Sequence, residues 1–315
     1  MFLCVSANPA IDKQVRIAEF RVGAVNRATQ AAPEPGGKAA HVAMALRGLG
    51  EKPLWIGFAG GATGEMLVRG LKALGIRAEG IATQEATREN LAILDNAGTV
   101  TEILEPGGKL SAREVKAFLR ACKEEFARGR QKLVVSLSGS LPPGAPTNFY
   151  ATLIRVARSH GCSVILDGSG EALRRGIAAK PDLVKPNREE AEALTGMKIQ
   201  DAASARKALQ RILAMGARSV AISLGKDGVL WSLGAGQRTL HARAPEVSNR
   251  SAVGSGDATV AGFAYGLDNG FPPEKMLKLA VACGSANLFA DSPGRIRLSA
   301  VRKMQREVRI EVLAG

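Results

Sequence analysis

Apolar residues along this 315-residue chain switch repeatedly between two periods. Short runs dense in Val, Ile and Leu alternate with stretches in which apolar side chains recur every three or four positions, a pattern that predicts strands and helices in turn. The strand-like runs occupy residues 2–7, 54–58, 133–137, 163–166 and 220–223. They are apolar on both faces, as strands of a parallel sheet covered by helices on two sides must be. Helix starts are legible between them. Ser111 with Glu114 three positions on forms a capping box ahead of Val115, Phe118 and Leu119; Thr147 opens a helix that Gly161 closes; Asp201 precedes one running through Leu209, Ile212 and Leu213.

Two segments leave this rhythm. Residues 15–30 and 91–104 alternate at period two and contain turn residues such as Asn96, Ala97 and Gly98, the signature of antiparallel strands. They lie too far apart to form one local hairpin, so they read as two excursions that pair into a small lid sheet. The expected organisation is α/β: a three-layer αβα core of residues 1–11, 37–86 and 107–315, with a mostly parallel sheet, carrying a β lid of residues 12–36 and 87–106.

Composition narrows the function classes. Hydrophobic residues make up 46% of the chain, and no apolar run reaches the roughly 20 residues of a membrane span, so a soluble protein is expected. The start, MFLCVSANPAIDK, has no basic segment before its apolar run and no small-residue cleavage site after it; it reads as a first strand and not as an export signal. Cys4, Cys122, Cys162 and Cys283 are scattered, without a CxxC pair, which fits buried thiols in a reducing cytoplasm. The balance of 43 Lys and Arg against 29 Asp and Glu, net +14, favours anionic partners. Nucleic acid is the weaker choice among them, because aromatic residues are only 4% and no zinc-finger or RNP-like spacing occurs.

Several short segments carry candidate chemistry. In VGSGDATVAGFAYG, Gly254, Ser255 and Gly256 precede a helical run, so free backbone amides and small side chains would let a phosphoryl group approach. Asp257 beside them is either a general base for an attacking hydroxyl or simply a helix cap, and these residues alone leave the two even. PEPGGKAAHVAMALRGLG places Gly36, Gly37 and Lys38 at a second helix start, without the spacing of a P-loop. In VKPNREEAEALTG, Asn187 and Glu190 share a face, where they suit a hydrated Mg²⁺ or a capping box, two roles that are geometrically compatible. Arg88 in ATREN suits a phosphate. SGSLPPG, with Ser138 and Gly139, and SLGKDG, with Ser223, Gly225 and Gly228, each follow a strand, at the edge where open α/β sheets take ligands.

In this order, NPAID, EPGGK, TREN, SGSLPPG, the D-x-S-G at residues 167–170, KPNREE, SLGKDG and GSGD resemble the ribokinase-like carbohydrate kinases of the PfkB family. The resemblance covers nearly the whole chain and is specific to the phosphosugar branch of 1-phosphofructokinases, tagatose-6-phosphate kinases and minor 6-phosphofructokinases. It implies Asp257 as catalytic base and the backbone of Gly254, Ser255 and Gly256 as anion hole. Asp12, Gly37 and Lys38 would bind the sugar, and Arg88, helped by Arg27 and Lys38, the phosphate the sugar already carries. Lys185, Ser223, Gly225 and Gly228 would line the ATP site, with Asn187 and Glu190 organising Mg²⁺, directly or through water, and Asn287 near the purine. The implied partners are ATP and a sugar phosphate, drawn to a positive cleft in a cytoplasmic protein that dimerises through its lid, with no nucleic acid or membrane.

Two positions depart from the branch. Where it reads GGKGxNVA this chain reads GGKAAHVA, with Ala39 for Gly and His41 for an Asn that touches sugar hydroxyls; where it reads TEINEPG this chain has Leu104 for Asn. The larger, chargeable His41 changes the pocket. The expected activity is transfer of the ATP γ-phosphoryl group to a ketohexose phosphate. A kinase for an unphosphorylated sugar or nucleoside, and a non-catalytic sugar-phosphate sensor, are the alternatives.

Overall fold

The first strand, β1 (Phe2–Ser6), is buried throughout, and its alternation sets the architecture: Phe2 and Cys4 join one hydrophobic core while Leu3 and Val5 join another. Successive strand side chains point to opposite faces, so a strand buried on both sides needs a helical layer above and below. The computed structural model describes residues 1–128, 132–245, 247 and 251–313. After β1 come β2 (Ala10–Arg16), β3 (Gln30–Gly36), α1 (Lys38–Gly48), β4 (Leu54–Gly60), α2 (Gly61–Ala73), β5 (Arg77–Thr83), β6 (Arg88–Leu94) and β7 (Val100–Leu104). The middle of the chain forms α3 (Ala112–Arg128), β8 (Val134–Gly139), α4 (Phe149–Ser159), β9 (Ser163–Gly168), α5 (Gly170–Ala178), β10 (Leu183–Val184), α6 (Arg188–Thr195) and α7 (Ala202–Ala214). The last third holds β11 (Val220–Ser223), β12 (Val229–Ser232), β13 (Thr239–Arg243), α8 (Ser255–Asp268), α9 (Pro273–Asn287), α10 (Leu298–Glu307) and β14 (Arg309–Leu313).

Ten strands form one sheet in the order β14-β13-β12-β11-β10-β9-β8-β1-β4-β5. Pairing is parallel from β11 to β5 and antiparallel from β11 to β14. Residues of α3 to α7 fill the core on one face, with Phe58, Phe118 and Phe149 stacked together; α1, α2 and α8 to α10 cover the other. This is the three-layer α/β fold expected from the residue pattern. No helix among the described residues is long and apolar enough to cross a membrane.

The second sheet has the order β3-β2-β6-β7. Two antiparallel pairs, β2 with β3 and β6 with β7, are joined by a parallel pairing of β2 with β6 that sets Asp12 opposite Asn90. The strands of the first excursion flank residues 17–29 instead of filling the segment 15–30. The stretch containing Pro33 and Pro35 is itself a strand, which proline tolerates because β3 is an edge. Helix α4 starts at Phe149 with Asn148 at its N-cap, two residues after Thr147, and no side chain caps it. The box at Ser111 and Glu114 holds, and Asp201 does precede a helix, where it forms a capping box with Ser204. All four cysteines are free and buried.

Candidate active site

The turn into α8 requires glycine for two reasons. Gly254, its N-cap, takes φ 81°, and a Cβ there would lie 2.8 Å from that of Pro293. No side chain among the described residues caps α8; the Ser255 amide donates to the Ala252 carbonyl at 3.0 Å, and the amides of Gly256 and Asp257 are left for a ligand. Asp257 does not cap either. Its carboxylate is 5% exposed and accepts a hydrogen bond from His41 Nδ1 at 2.9 Å, while His41 Nε2 donates to Asp12 Oδ2 at 3.0 Å. Two carboxylates that only accept are matched, at this geometry, by a ring that carries a proton on each nitrogen. Burial alone pushes its pKa down, but hydrogen bonds and charge from Asp12 and Asp257 outweigh burial and raise it to about 10.

Asp12 is held from three sides. Besides His41 it accepts from Asn90 Nδ2 at 2.8 Å, across the β2–β6 pairing, and from the Gly37 amide at 3.3 Å. Burial pushes this carboxyl up, but His41, Asn90 and Gly37 together bring it below its ordinary value. The neighbouring glycine makes room: a Cβ at Gly36 would lie 2.1 Å from the Asp12 carboxyl carbon.

A second charged cluster lies at the ends of β9 and β10. Asp167, 1% exposed, pairs with Lys38 at 3.1 Å and with Lys185 at 3.4 Å, and Lys38 also reaches Glu190 at 3.4 Å. Burial would raise the Asp167 carboxyl, but Lys185 and Lys38 hold it below the usual range; Lys38 is raised in return. A Cβ at Gly256 would sit 3.4 Å from Lys185 Nζ, so this cluster adjoins the α8 turn. Asn187 and Glu190 form a complete capping box on α6: Asn187 Oδ1 accepts from the Glu190 amide and Glu190 Oε2 from the Asn187 amide. Of the two residues Asp167 and Lys38, the family resemblance implies Lys38 at the sugar and gives Asp167 no role, although the D-x-S-G motif marks its position.

The remaining candidates divide. Ser223 bridges to Asn187, and Gly225 and Gly228 shape the turn after β11. Asn287 is a buried tie: its amide nitrogen donates to the Val253 carbonyl at 2.7 Å and its oxygen accepts from Gly294 at 2.7 Å, which fixes the approach to α8. Ser138 and Gly139 end β8; the Ser138 hydroxyl is buried without a protein partner, and Gly139 adjoins Lys38. Arg88 starts β6 and donates to the carbonyls of Glu105 and Asn8 at 2.6 and 3.1 Å. Its Nε is buried without a partner among the described residues, beside a cavity of about 20 Å³ that it shares with Asn8, Pro9 and Thr87. Arg27 lies on the exposed segment between β2 and β3. Asn8 and Asn90, not chosen from the motifs that contain them, tie the site together: Asn8 donates to the Pro106 carbonyl and the Ser140 hydroxyl.

Four described carboxylates (Asp12, Asp167, Glu190, Asp257) thus stand with four cations (Lys38, His41, Arg88, Lys185), and the chain's net +14 is not drawn from this cluster. Among the described residues no three His, Cys, Asp or Glu converge as a metal cage. The arrangement sets a carboxylate and uncapped amides at one helix start, a combination suited to moving a charged group onto a hydroxyl.

Residues 5–295 match the model of the pfkB family of carbohydrate kinases. The structure is similar to phosphofructokinase-2 from Escherichia coli solved with fructose-6-phosphate, at 29% identity over 98% of each chain and a TM-score of 0.86. A tetrameric inhibited form of that Escherichia coli protein matches at 30% identity over 97% of this chain and 98% of the other, with a TM-score of 0.88. A Thermotoga maritima protein named as a possible 1-phosphofructokinase matches at 26% identity over all of both chains, with a TM-score of 0.89. With motifs and fold agreeing, this chain belongs to the pfkB family of carbohydrate kinases.

Proposed function

We propose that this protein transfers the γ-phosphoryl group of ATP to a hydroxyl of a ketohexose phosphate: fructose 1-phosphate, tagatose 6-phosphate or fructose 6-phosphate. The observation that carries the reading is the position of Asp257, a buried carboxylate in the first turn of a helix that no side chain caps. In the proposed step the acceptor oxygen attacks the γ-phosphorus and its proton passes to Asp257. The bond to the β–γ bridging oxygen breaks, and its electron pair leaves with ADP. The amides of Gly254 and Gly256, with Lys185 beside Gly256, stabilise the charge on the transferring group, while the Ser255 amide holds the turn by donating to the Ala252 carbonyl. Ser223, Gly225 and Gly228 lie along the nucleotide, and Asn287 braces the α8 turn.

Mg²⁺ fits this site only as a hydrated ion. Asn187 Oδ1 is committed to its cap and Glu190 Oε1 faces Lys38, so the pair would hold the metal through its water shell. The ion would supply charge neutralisation on the nucleotide phosphates. At the other end Asp12, Gly37, Lys38, His41, Ser138 and Gly139 surround the sugar in this reading, and Arg88 with Arg27 takes its phosphate. Exposed Val22, Val25, Ile103 and Leu104 on the small sheet and its loop support a homodimer through that sheet.

ADP release across the three ketohexose phosphates, free hexoses and nucleosides tests the function. Turnover confined to unphosphorylated acceptors overturns the phosphosugar assignment, and no release with any acceptor overturns catalysis. Arg88→Ala should raise the KM for the phosphorylated acceptor by about 10- to 100-fold, the worth of a charge-assisted hydrogen bond, while kcat changes little. Steady-state kinetics with varied acceptor check this, and an unchanged KM removes Arg88 from the phosphate site.

A further inference from the structure

His41 stands where the phosphosugar branch carries an amide, and its two ring nitrogens join the carboxylates at the two ends of the acceptor site. The geometry leaves little freedom. Asp257 Oδ2 receives one N–H at 2.9 Å, Asp12 Oδ2 receives the other at 3.0 Å, and His41 is 5% exposed on a helix that also carries Lys38 one turn earlier. A neutral buried ring needs one donor and one acceptor as partners. Two acceptor-only partners on opposite sides demand a donor on each nitrogen, which neutral imidazole cannot provide and an amide, with both protons on one nitrogen, cannot direct.

We propose that His41 is a positioning residue for phosphoryl transfer: it clamps Asp257 so that Oδ1 is kept for the acceptor hydroxyl, and it ties that orientation to Asp12 on the small sheet. The inference rests on the reading of Asp257 as the base. Asp12 has its Oδ1 committed to Asn90 and its Oδ2 shared between His41 and Gly37, so it acts first as the anchor of the clamp. The clamp joins the small sheet to the core, because Asp12 lies on β2 while His41 and Asp257 lie on core helices. The groups facing it favour the cation. Asp12, Asp257 and, from β7, Glu102 are acids, whereas the nearby Lys38 is engaged by Asp167 and Glu190. In the transfer step His41 keeps both protons; the acceptor's proton goes to Oδ1 of Asp257, and the imidazolium holds the carboxylate in line while the P–O bonds exchange.

The test pairs kinetics with NMR. His41→Asn and His41→Gln should each lower kcat by about 10- to 100-fold, the scale of a misplaced catalytic group, with the KM for ATP within about twofold of the parent. In ¹⁵N-labelled wild-type protein, where the chain has three histidines, the ring missing from the His41→Gln spectrum should show both nitrogens protonated at pH 8. The spectrum needs no variant to be active. A neutral His41 ring at pH 8 overturns the proposal, as does a kcat within about threefold of the parent in both variants. A rise in acceptor KM with kcat unchanged also overturns it, since it makes His41 a sugar contact only. Asp257→Asn run alongside separates the two claims: if it is inactive while the His41 variants are normal, only the clamp fails, and if it retains normal turnover, the base assignment fails and the clamp with it.

Discussion

Asp257→Asn is expected to lower kcat by about 10²- to 10⁴-fold, the usual contribution of a positioned general base, while ATP and acceptor still bind. The amide keeps the shape of the carboxylate, and its oxygen still accepts from His41 Nδ1, so the local fold should survive. What disappears is the ability to take a proton from the attacking hydroxyl. Steady-state kinetics with isothermal titration of both ligands check the split. A fall in affinity that accounts for the whole loss would recast Asp257 as a binding residue, and undiminished turnover would exclude it as the base.

The second large effect is expected at a residue placed beneath the chemistry. Asp167→Asn should destabilise the fold by about 3–5 kcal/mol, the cost of leaving a buried charge without its partner. Lys185 bears most of it: Lys185 is 2% exposed and Asp167 is its ion-pair partner, whereas Lys38 retains Glu190. In a chain of this size the melting temperature should drop by about 5–8 °C. The pH dependence has a definite sign. Lys185 and Lys38, outweighing burial, hold the folded Asp167 carboxyl below its unfolded value of about 3.9. Its contribution is therefore complete above that unfolded value and is lost as pH falls through the lower folded one. Calorimetry of both proteins at pH 7, 5 and 3 should show a gap that is full at the first two and closing at the last; equal melting at pH 7 would remove Asp167 from the stability of the core.

How much of this was legible in the residues follows from the range of each interaction. The central strands were readable because burial on two faces writes itself into a short stretch; Val220–Ser223 is bounded as its composition implies. Strands β12 to β14 were not, because their antiparallel pairing depends on neighbours brought round by the fold, with β14 starting 66 residues after β13 ends. The stretch holding Pro33 and Pro35 concealed β3, since only its edge position excuses the prolines. The box at Asn187 and Glu190 is local and was visible as such. The glycine turn before Asp257 was visible too, but the side chain's partner is 216 residues away, and no spacing within GSGD points to His41. Lys38 shows the same limit: a lysine at a helix start declares an anion nearby, and only the folded chain assigns it to Asp167 and Glu190.

Helix α1 thus serves both ends of the site from its first four residues, with Lys38 reaching Asp167 and Glu190 and His41 reaching Asp12 and Asp257. Each residue of an α-helix turns its side chain by about 100°. An insertion or deletion between these two positions would swing one cation away from its acids while the other stayed in place, whereas an exchange of side chain leaves the directions intact. The spacing of Lys38 and His41 therefore fixes the length of this stretch. Length variation belongs instead to the exposed residues 21–29, in a connection whose ends are already held by the pairing of β2 with β3.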